Sequence, residues 1–337
     1  MRKLFVGGIA AVLISLSSST LATTFKIATL SPEGSYWMNS MREAGKEIAK
    51  RTDKRVRFRF YPGGVMGNDK AVLKKIRIGQ LHGAAFSGGA LAGLVPNTQV
   101  YNLPRTFKSY EEVDFVRQNM DQSVQKDFED AGFVNFGLAE GGFAYLMSKK
   151  PITAATALKD EKVWVPADDP SSDVAVEAFN ITPTPLQLGD VLASLQTDLI
   201  NTVFASPIAA IALQWHTQVD YVTDYPLVYF YALLAIDQKA FNRLSAEDQA
   251  TVRDVMHAAF KKIDKQNRKD NQEAFKALEN QGIKVLQPTA EEAADWEAKS
   301  AATRDAFMKT GQVKPETYQQ MLKLLEEFRA KQANNGG

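Results

Sequence analysis

The chain has 337 residues, 45% of them apolar and 23% charged, which is enough for two lobes that each bury a core. Its 40 Lys and Arg stand against 39 Asp and Glu, so there is no basic surplus of the kind that nucleic-acid binding demands. With no cysteine there is no disulfide, no thiol nucleophile and no lipid-modified cysteine.

Arg2 and Lys3 precede an apolar run, Leu4 to Leu16, and then the small polar stretch Ser17-Ser18-Ser19-Thr20-Leu21-Ala22. That is the layout of a secretory signal peptide over residues 1–22, with Thr20 and Ala22 at the small-residue places before the cut. The apolar run falls short of the ~20 residues a bilayer span needs, so cleavage is expected rather than anchoring. Loss of Arg2 and Lys3 leaves 38 basic and 39 acidic residues. No later segment is apolar for long enough to cross a membrane, so a role in transport requires a separate membrane partner.

The exported part opens with an alternating strand, Thr24 to Leu30, a turn at Ser31-Pro32-Glu33-Gly34-Ser35, and a helix from Tyr36 to Arg51 with Ser35 as N-cap. A second strand, Val56 to Tyr61, completes a β-α-β unit, the builder of parallel sheets. After Pro62-Gly63-Gly64 the spacing predicts a helix from Asp69 to Gly79 and a short strand, Leu81 to Phe86, that runs into Ser87-Gly88-Gly89. Ser109 caps a helix from Tyr110 to Asn119, with Glu111 and Glu112 favouring its positive end. Phe133 to Leu138 and Phe143 to Ser148 read as two strands, followed by a strand at Lys162 to Pro166 and a helix at Asp173 to Phe179.

Thr182-Pro183-Thr184-Pro185-Leu186 is extended and leads to a helix, Leu188 to Thr197. Thr202 to Pro207 is a strand end, Ile208 to His216 an apolar and therefore buried helix, and Tyr221 to Ile236 a long strand. Ser245-Ala246-Glu247-Asp248 reads as a capping box that opens a helix to Gln281, roughly 50 Å long, with charges such as Lys261-Lys262-Ile263-Asp264-Lys265 on a solvated face. A last strand, Ile283 to Leu286, precedes helix from Ala290 to Arg329, broken around Gly311 to Pro315. Residues 332–337 are expected to be disordered.

Catalytic signatures are missing. His82, His216 and His257 lie far apart without a Glu or Cys at metal-ligand spacing. There is no G-x-S-x-G, P-loop or G-x-G-x-x-G, and no cofactor is called for. Asp168-Asp169 is an acidic pair that reads as a helix-capping turn before a cation site. A hydrolase would have to rest on isolated carboxylates such as Glu140 or Asp168.

Four stretches resemble the substrate-binding proteins of TRAP transporters, the DctP family. They are Tyr61-Pro62-Gly63-Gly64-Val65-Met66-Gly67-Asn68-Asp69, Leu103-Pro104 followed by Lys108, Val163-Trp164-Val165-Pro166, and Pro183-Thr184-Pro185 through Val191 to Leu195-Gln196-Thr197. They occur in the family's order and cover essentially the whole exported chain. The resemblance implies an α/β, two-lobed periplasmic binding-protein fold, with a ligand cleft between the lobes and a long helix spanning both. It implies no enzymatic step: a periplasmic receptor captures a small solute by lobe closure and delivers it to separate TRAP permease subunits, a sensor kinase being the alternative partner. The lobes are expected at 23–140 with about 229–268, and at 141–228 with about 269–331, in a chain that acts as a monomer.

The departures fall where the family decides ligand chemistry. Trp164 stands where "KxRxP" places the arginine that clamps the ligand carboxylate, and Phe143 aligns with a second arginine of several acid-binding members. Ala205 and Ser206 fall around the family's usual asparagine. The expected cleft is therefore aromatic, lined by Phe86, Phe143, Trp164 and Phe204 with Ser87 and Ser206 as polar handles, and suited to an apolar or aromatic-bearing ligand. The alternative leaves Phe143 and Trp164 in the core and gives a carboxylate to another cation such as Arg105.

Overall fold

The computed structural model describes residues 22–167 and 169–335. Residues 1–21 of the expected leader, Asp168 and residues 336–337 lie outside the described residues. In chain order the elements are β1 (Thr23–Ala28), α1 (Tyr36–Arg51), β2 (Val56–Tyr61), α2 (Asp69–Arg77), β3 (Gly83–Ser87), α3 (Tyr110–Asp130) and β4 (Phe133–Ser148). They continue with β5 (Lys162–Pro166), α4 (Pro170–Phe179), β6 (Thr182–Leu186), α5 (Val191–Gln196), β7 (Thr202–Ala205), α6 (Pro207–Ala212) and β8 (Tyr221–Asp237). The chain ends with α7 (Gln238–Phe241), α8 (Ala246–Asn280), β9 (Lys284–Leu286), α9 (Ala290–Lys309) and α10 (Pro315–Asn335).

The strands join in the order β2-β1-β3-β8-β4-β7-β5-β6, with β9 on β8. β4 and β8 run antiparallel to one another for almost their whole length, so one end of the pair belongs to each lobe. In the first lobe, β1 pairs in parallel with β2 and β3, and β3 pairs with the far end of β8. In the second, β5 pairs in parallel with β6 and β7, and β7 pairs with the far end of β4.

Both faces of each half-sheet are covered, as alternation on a strand requires when each face must bury its apolar set. In the first lobe Phe25, Ile27 and Val56 pack with Val252, Met256 and Ile263 of α8, while Phe86 and Leu233 pack on the opposite face with Val116 and Met120 of α3. In the second, Val203, Leu195 and Trp215 form one core and Leu146, Val163 and Trp296 the other. α8 leaves the first lobe at Ile263 and reaches the second at Leu278. α9 crosses in the other direction, from Trp296 in the second lobe to Phe307 in the first.

Several expectations are corrected. The two strands read at 133–138 and 143–148 are one strand that shifts register three times without ending, the first two shifts falling at Gly137 (φ 113°) and Gly142 (φ 88°). α3 runs on to Asp130, with Val124 and Phe128 continuing its buried stripe. The segment read as one buried helix, Ile208 to His216, ends at Ala212; Gln214 is left-handed (φ 60°), and Ile208, Ala209 and Ile211 are only half-buried. Ser245 does cap α8, but Asp248 closes no box: its carboxylate accepts from Arg55 Nη2 at 2.8 Å. The full capping box belongs to α9, between Thr289 and Glu292.

Phe307, Val313, Met321 and Leu325 pack on the first lobe, not on the second where the sequence places 269–331. Arg329 pairs with Glu112 of α3 at 2.7 Å and α10 is helical through Asn335, past the point where disorder is expected from 332.

Candidate ligand cleft

The carboxyl ends of the parallel strands in the two half-sheets face each other, which is where open α/β sheets bind ligands. A Cβ on Gly89, just beyond β3, would lie 3.6 Å from Asp169 Oδ2, just beyond β5. The parallel pairings put the carboxyl ends of β1, β2 and β3 on the first lobe's side of the gap and those of β5, β6 and β7 on the second's. Tyr145 on β4 packs against a core of each lobe and so lies between them.

The predicted site residues do not assemble as one lining. Phe86 is buried in the first-lobe core, and Gly88 beside it lies on the Tyr231 ring, where a Cβ would come within 2.4 Å of Tyr231 Cζ. Phe143 is in the same core, its ring 5.0 Å from that of Tyr110 and 5.7 Å from that of Tyr229. Trp164 is in a second-lobe core, edge-on to Trp215 at 5.1 Å, and its indole N–H donates to the Leu186 carbonyl at 3.1 Å. Phe204 points to the opposite face of that half-sheet, with Leu146, Leu227 and Trp296. The four rings thus belong to three separate packing clusters, because neighbouring positions on β5 and β7 alternate between faces.

Ser87 is exposed at the end of β3 and caps nothing. Ser206 is buried at the start of α6 without a side-chain cap, and Ile208 N of that helix donates instead to Asn271 Oδ1 at 3.3 Å. Arg105 is held in place: Nε donates to Glu297 Oε2 at 3.2 Å, Nη1 to the Pro226 carbonyl at 2.9 Å, and the guanidinium lies 4.2 Å above the Tyr225 ring. A guanidinium with these partners and a side chain only 11% exposed is a structural clamp on β8, not a hand for a carboxylate.

Sequence reading missed the residues that organise the crossing. Asp264, Asn267, Arg268 and Asn271 fall on one face of α8, at the i, i+3, i+4, i+7 spacing. Asp264 Oδ1 accepts from Glu140 N at 2.7 Å, Asn267 Nδ2 donates to Glu140 O at 2.7 Å, and Asn271 Nδ2 donates to Gly141 O at 3.2 Å. Arg268 spans Asp114 of α3 at 2.7 Å and buried Glu140 at 2.5 Å. Burial raises the Glu140 carboxyl above its ordinary value and Arg268 opposes that rise. The part of α8 read as a solvated face is therefore, at Asp264, an inward face, and Glu140 is locked in structure rather than available for hydrolysis. The polar stripe itself is visible in the sequence; what it bonds to is not.

The histidines are also accounted for. His82 Nδ1 accepts from Lys26 N at 3.0 Å, His216 Nδ1 lies 3.1 Å from the Ala210 carbonyl, and His257 lies edge-on to Phe136. Asp169 Oδ2 accepts from Ser172 Oγ at 3.2 Å, at the start of α4. Among the described residues there is no group of His, Cys, Asp and Glu able to hold a metal, and no helix long and apolar enough to cross a membrane.

One side chain in the cleft wall stands apart. Asp69 lines a small crevice where β1 and β3 end, with Thr29, Leu30, Met66, Val72, Ala84 and Ala85. Burial pushes its carboxyl up to about 6 with no charged neighbour to offset it. It belongs to the Tyr61–Asp69 stretch by which the sequence resembles its family, yet its burial depends on strands distant in sequence.

Two half-sheets with facing carboxyl ends and four crossings define a two-lobed α/β fold with a cleft between the lobes. The model of the bacterial extracellular solute-binding protein family 7, DctP, matches residues 27–310, and the chain belongs to that family. It is 24% identical over 264 residues to the ectoine/5-hydroxyectoine-binding periplasmic protein UehA of Ruegeria pomeroyi, covering 75% of this chain and 76% of that one. It is 26% identical over 245 residues to the solute-binding protein RD1_1052 of Roseobacter denitrificans, covering 72% and 74%. Among solved structures, a TRAP periplasmic solute-binding protein of Ralstonia eutropha with bound (S)-2-acetolactate superposes with a TM-score of 0.83 at 20% identity, over 90% of this chain and 99% of that one. The Bordetella pertussis receptor DctP7, which binds pyroglutamic acid, gives 0.82 at 19% identity, over 90% and 100%. The family is extracytoplasmic and non-enzymatic, and it implies a TRAP membrane permease as the partner that receives the solute.

Proposed function

We infer that this receptor captures a small organic solute whose main anchor is not a carboxylate clamped by arginine, and passes it to its permease. The carrying observation is Trp164: at the position where the resemblance expects the arginine, the side chain is committed to a core and its one donor is used by Leu186. Phe143 is equally committed, and Arg105, the alternative cation, is engaged by Glu297 and Pro226. A buried carboxylate without a paired cation costs several kcal/mol, which weighs against the sugar acids and other carboxylates bound by the solved neighbours. The aromatic content of the ligand loses support, since the predicted rings do not converge; an uncharged or cationic solute fits what remains. The leader over residues 1–22 is cleaved on export and the mature receptor acts as a monomer.

Mass spectrometry of the solute released from gently purified protein identifies the ligand, with calorimetry against succinate as the control. Weak or absent succinate binding is expected; tight stoichiometric capture overturns the reading. N-terminal sequencing of exported protein should begin at Thr23.

A further inference from the structure

Asn68, not Asp69, caps α2, its side chain accepting from Ala71 N at 2.9 Å. Asp69 therefore has no capping duty, and it makes no hydrogen bond or ion pair with any described residue. None of the other residues that line its crevice carries an ionisable group. Lys75, the cation that reaches the adjoining turn, gives its ammonium to the Met66 carbonyl at 2.7 Å. A carboxylate that is largely desolvated, unpaired and set in the cleft wall costs stability without serving the fold.

We propose that Asp69 is the specificity-determining residue of the cleft, and that it recognises a cationic nitrogen, an ammonium, amidinium or guanidinium group, on the solute. This rests on the receptor reading above and sharpens it: a wall whose described residues include an unpaired carboxylate, with Arg105 engaged elsewhere, selects against acids and for organic cations or zwitterions. The crevice favours charge over neutrality in the partner. A neutral hydroxyl would leave the desolvated carboxylate uncompensated, whereas an N–H cation supplies both a donor and the opposite charge. The helix N-terminus behind Asp69 favours its ionised form, yet burial outweighs it and raises the carboxyl to about 6. Bound cation reverses that balance, so binding releases a proton below that pH and strengthens as pH rises through it.

The test is a carboxyl-carbon NMR titration of the full mature chain, alone and with methylammonium or succinate as probe. Asp69 should titrate near 6, and saturating methylammonium should lower its midpoint by about one to three units, an effect absent for methanol. Asp69→Asn should lose the methylammonium-induced gain in thermal stability while remaining folded. A midpoint that methylammonium leaves unmoved, or an ordinary carboxylate titration in the free protein, overturns the assignment. Saturable succinate binding in the same samples would instead overturn the receptor reading, whatever Asp69 does, so the two failures are separable.

Discussion

Asp69 and Trp164 are opposite cases at the scale of single residues, one stabilised by nothing around it and the other by everything. For Asp69 the folded-state value of about 6 lies above the reference of 3.8, so between those pH values the native state holds more proton than the unfolded chain. Stability contributed by this group is therefore highest in acid and falls as pH rises through the window, levelling off above about 6 at a deficit of up to ~3 kcal/mol. Asp69→Asn should raise the urea midpoint at neutral pH and lose that advantage below about pH 4; an equal midpoint at both would show the carboxyl to be well solvated. Trp164 fills a core and its indole N–H is satisfied, so Trp164→Ala should cost about 3–5 kcal/mol in the same unfolding assay. A loss under about 1 kcal/mol would return Trp164 to the cleft surface.

At the scale of elements, α8 and β4 are joined by side chain-to-backbone bonds at Glu140 and Gly141, and the join depends on a missing Cβ. Gly142 has φ 88°, and a Cβ there would lie 2.4 Å from Asn271 Nδ2. Gly142→Ala should therefore combine left-handed strain of about 1–2 kcal/mol with a clash that displaces Asn271 from Gly141 and Ile208. In an Asn271→Ala background the clash disappears and only the strain remains, so the glycine substitution should cost less there than in the wild type. Additive costs would refute the contact. The sequence carried the local half of this architecture: Ser35, Ser109 and Ser245 are all N-caps that accept a backbone N–H, and the β-α alternation was readable from period alone. It could not carry the other half, because Asp248 answers to Arg55 and Arg268 to Glu140, partners more than 120 residues away. The same limit explains the site. Trp164 and Phe204 were read as strand residues lining the cleft, but which face each one takes is fixed by register with β6, β7 and β4, which no local pattern encodes.

At the scale of the whole molecule, β4, β8, α8 and α9 all pass between the lobes, so relative motion is restricted to a hinge about these crossings. The near approach of Gly89 to Asp169 brings the ends of β3 and β5 together across the gap between the lobes. It also offers a way to hold the mouth shut, since the natural chain has no cysteine to compete. A Cβ at 89 would lie 3.6 Å from Asp169 Oδ2 and 3.8 Å from its Cγ. Asp169 Cβ itself lies beyond 4 Å of that Cβ, at or past the long end of the about 3.5–4.5 Å that a disulfide spans, so the cross-link draws on closure about the hinge. The double substitution Gly89→Cys with Asp169→Cys should cross-link on mild oxidation. Solute trapped by oxidation should then leave far more slowly than from the reduced protein, and empty oxidised protein should fail to take solute up, because lobe closure sequesters the cleft from solvent. Reduction should restore both rates. Unchanged exchange in a fully oxidised sample would mean that solute enters by a route other than the gap between β3 and β5, and the cleft would have to be sought elsewhere on the hinge.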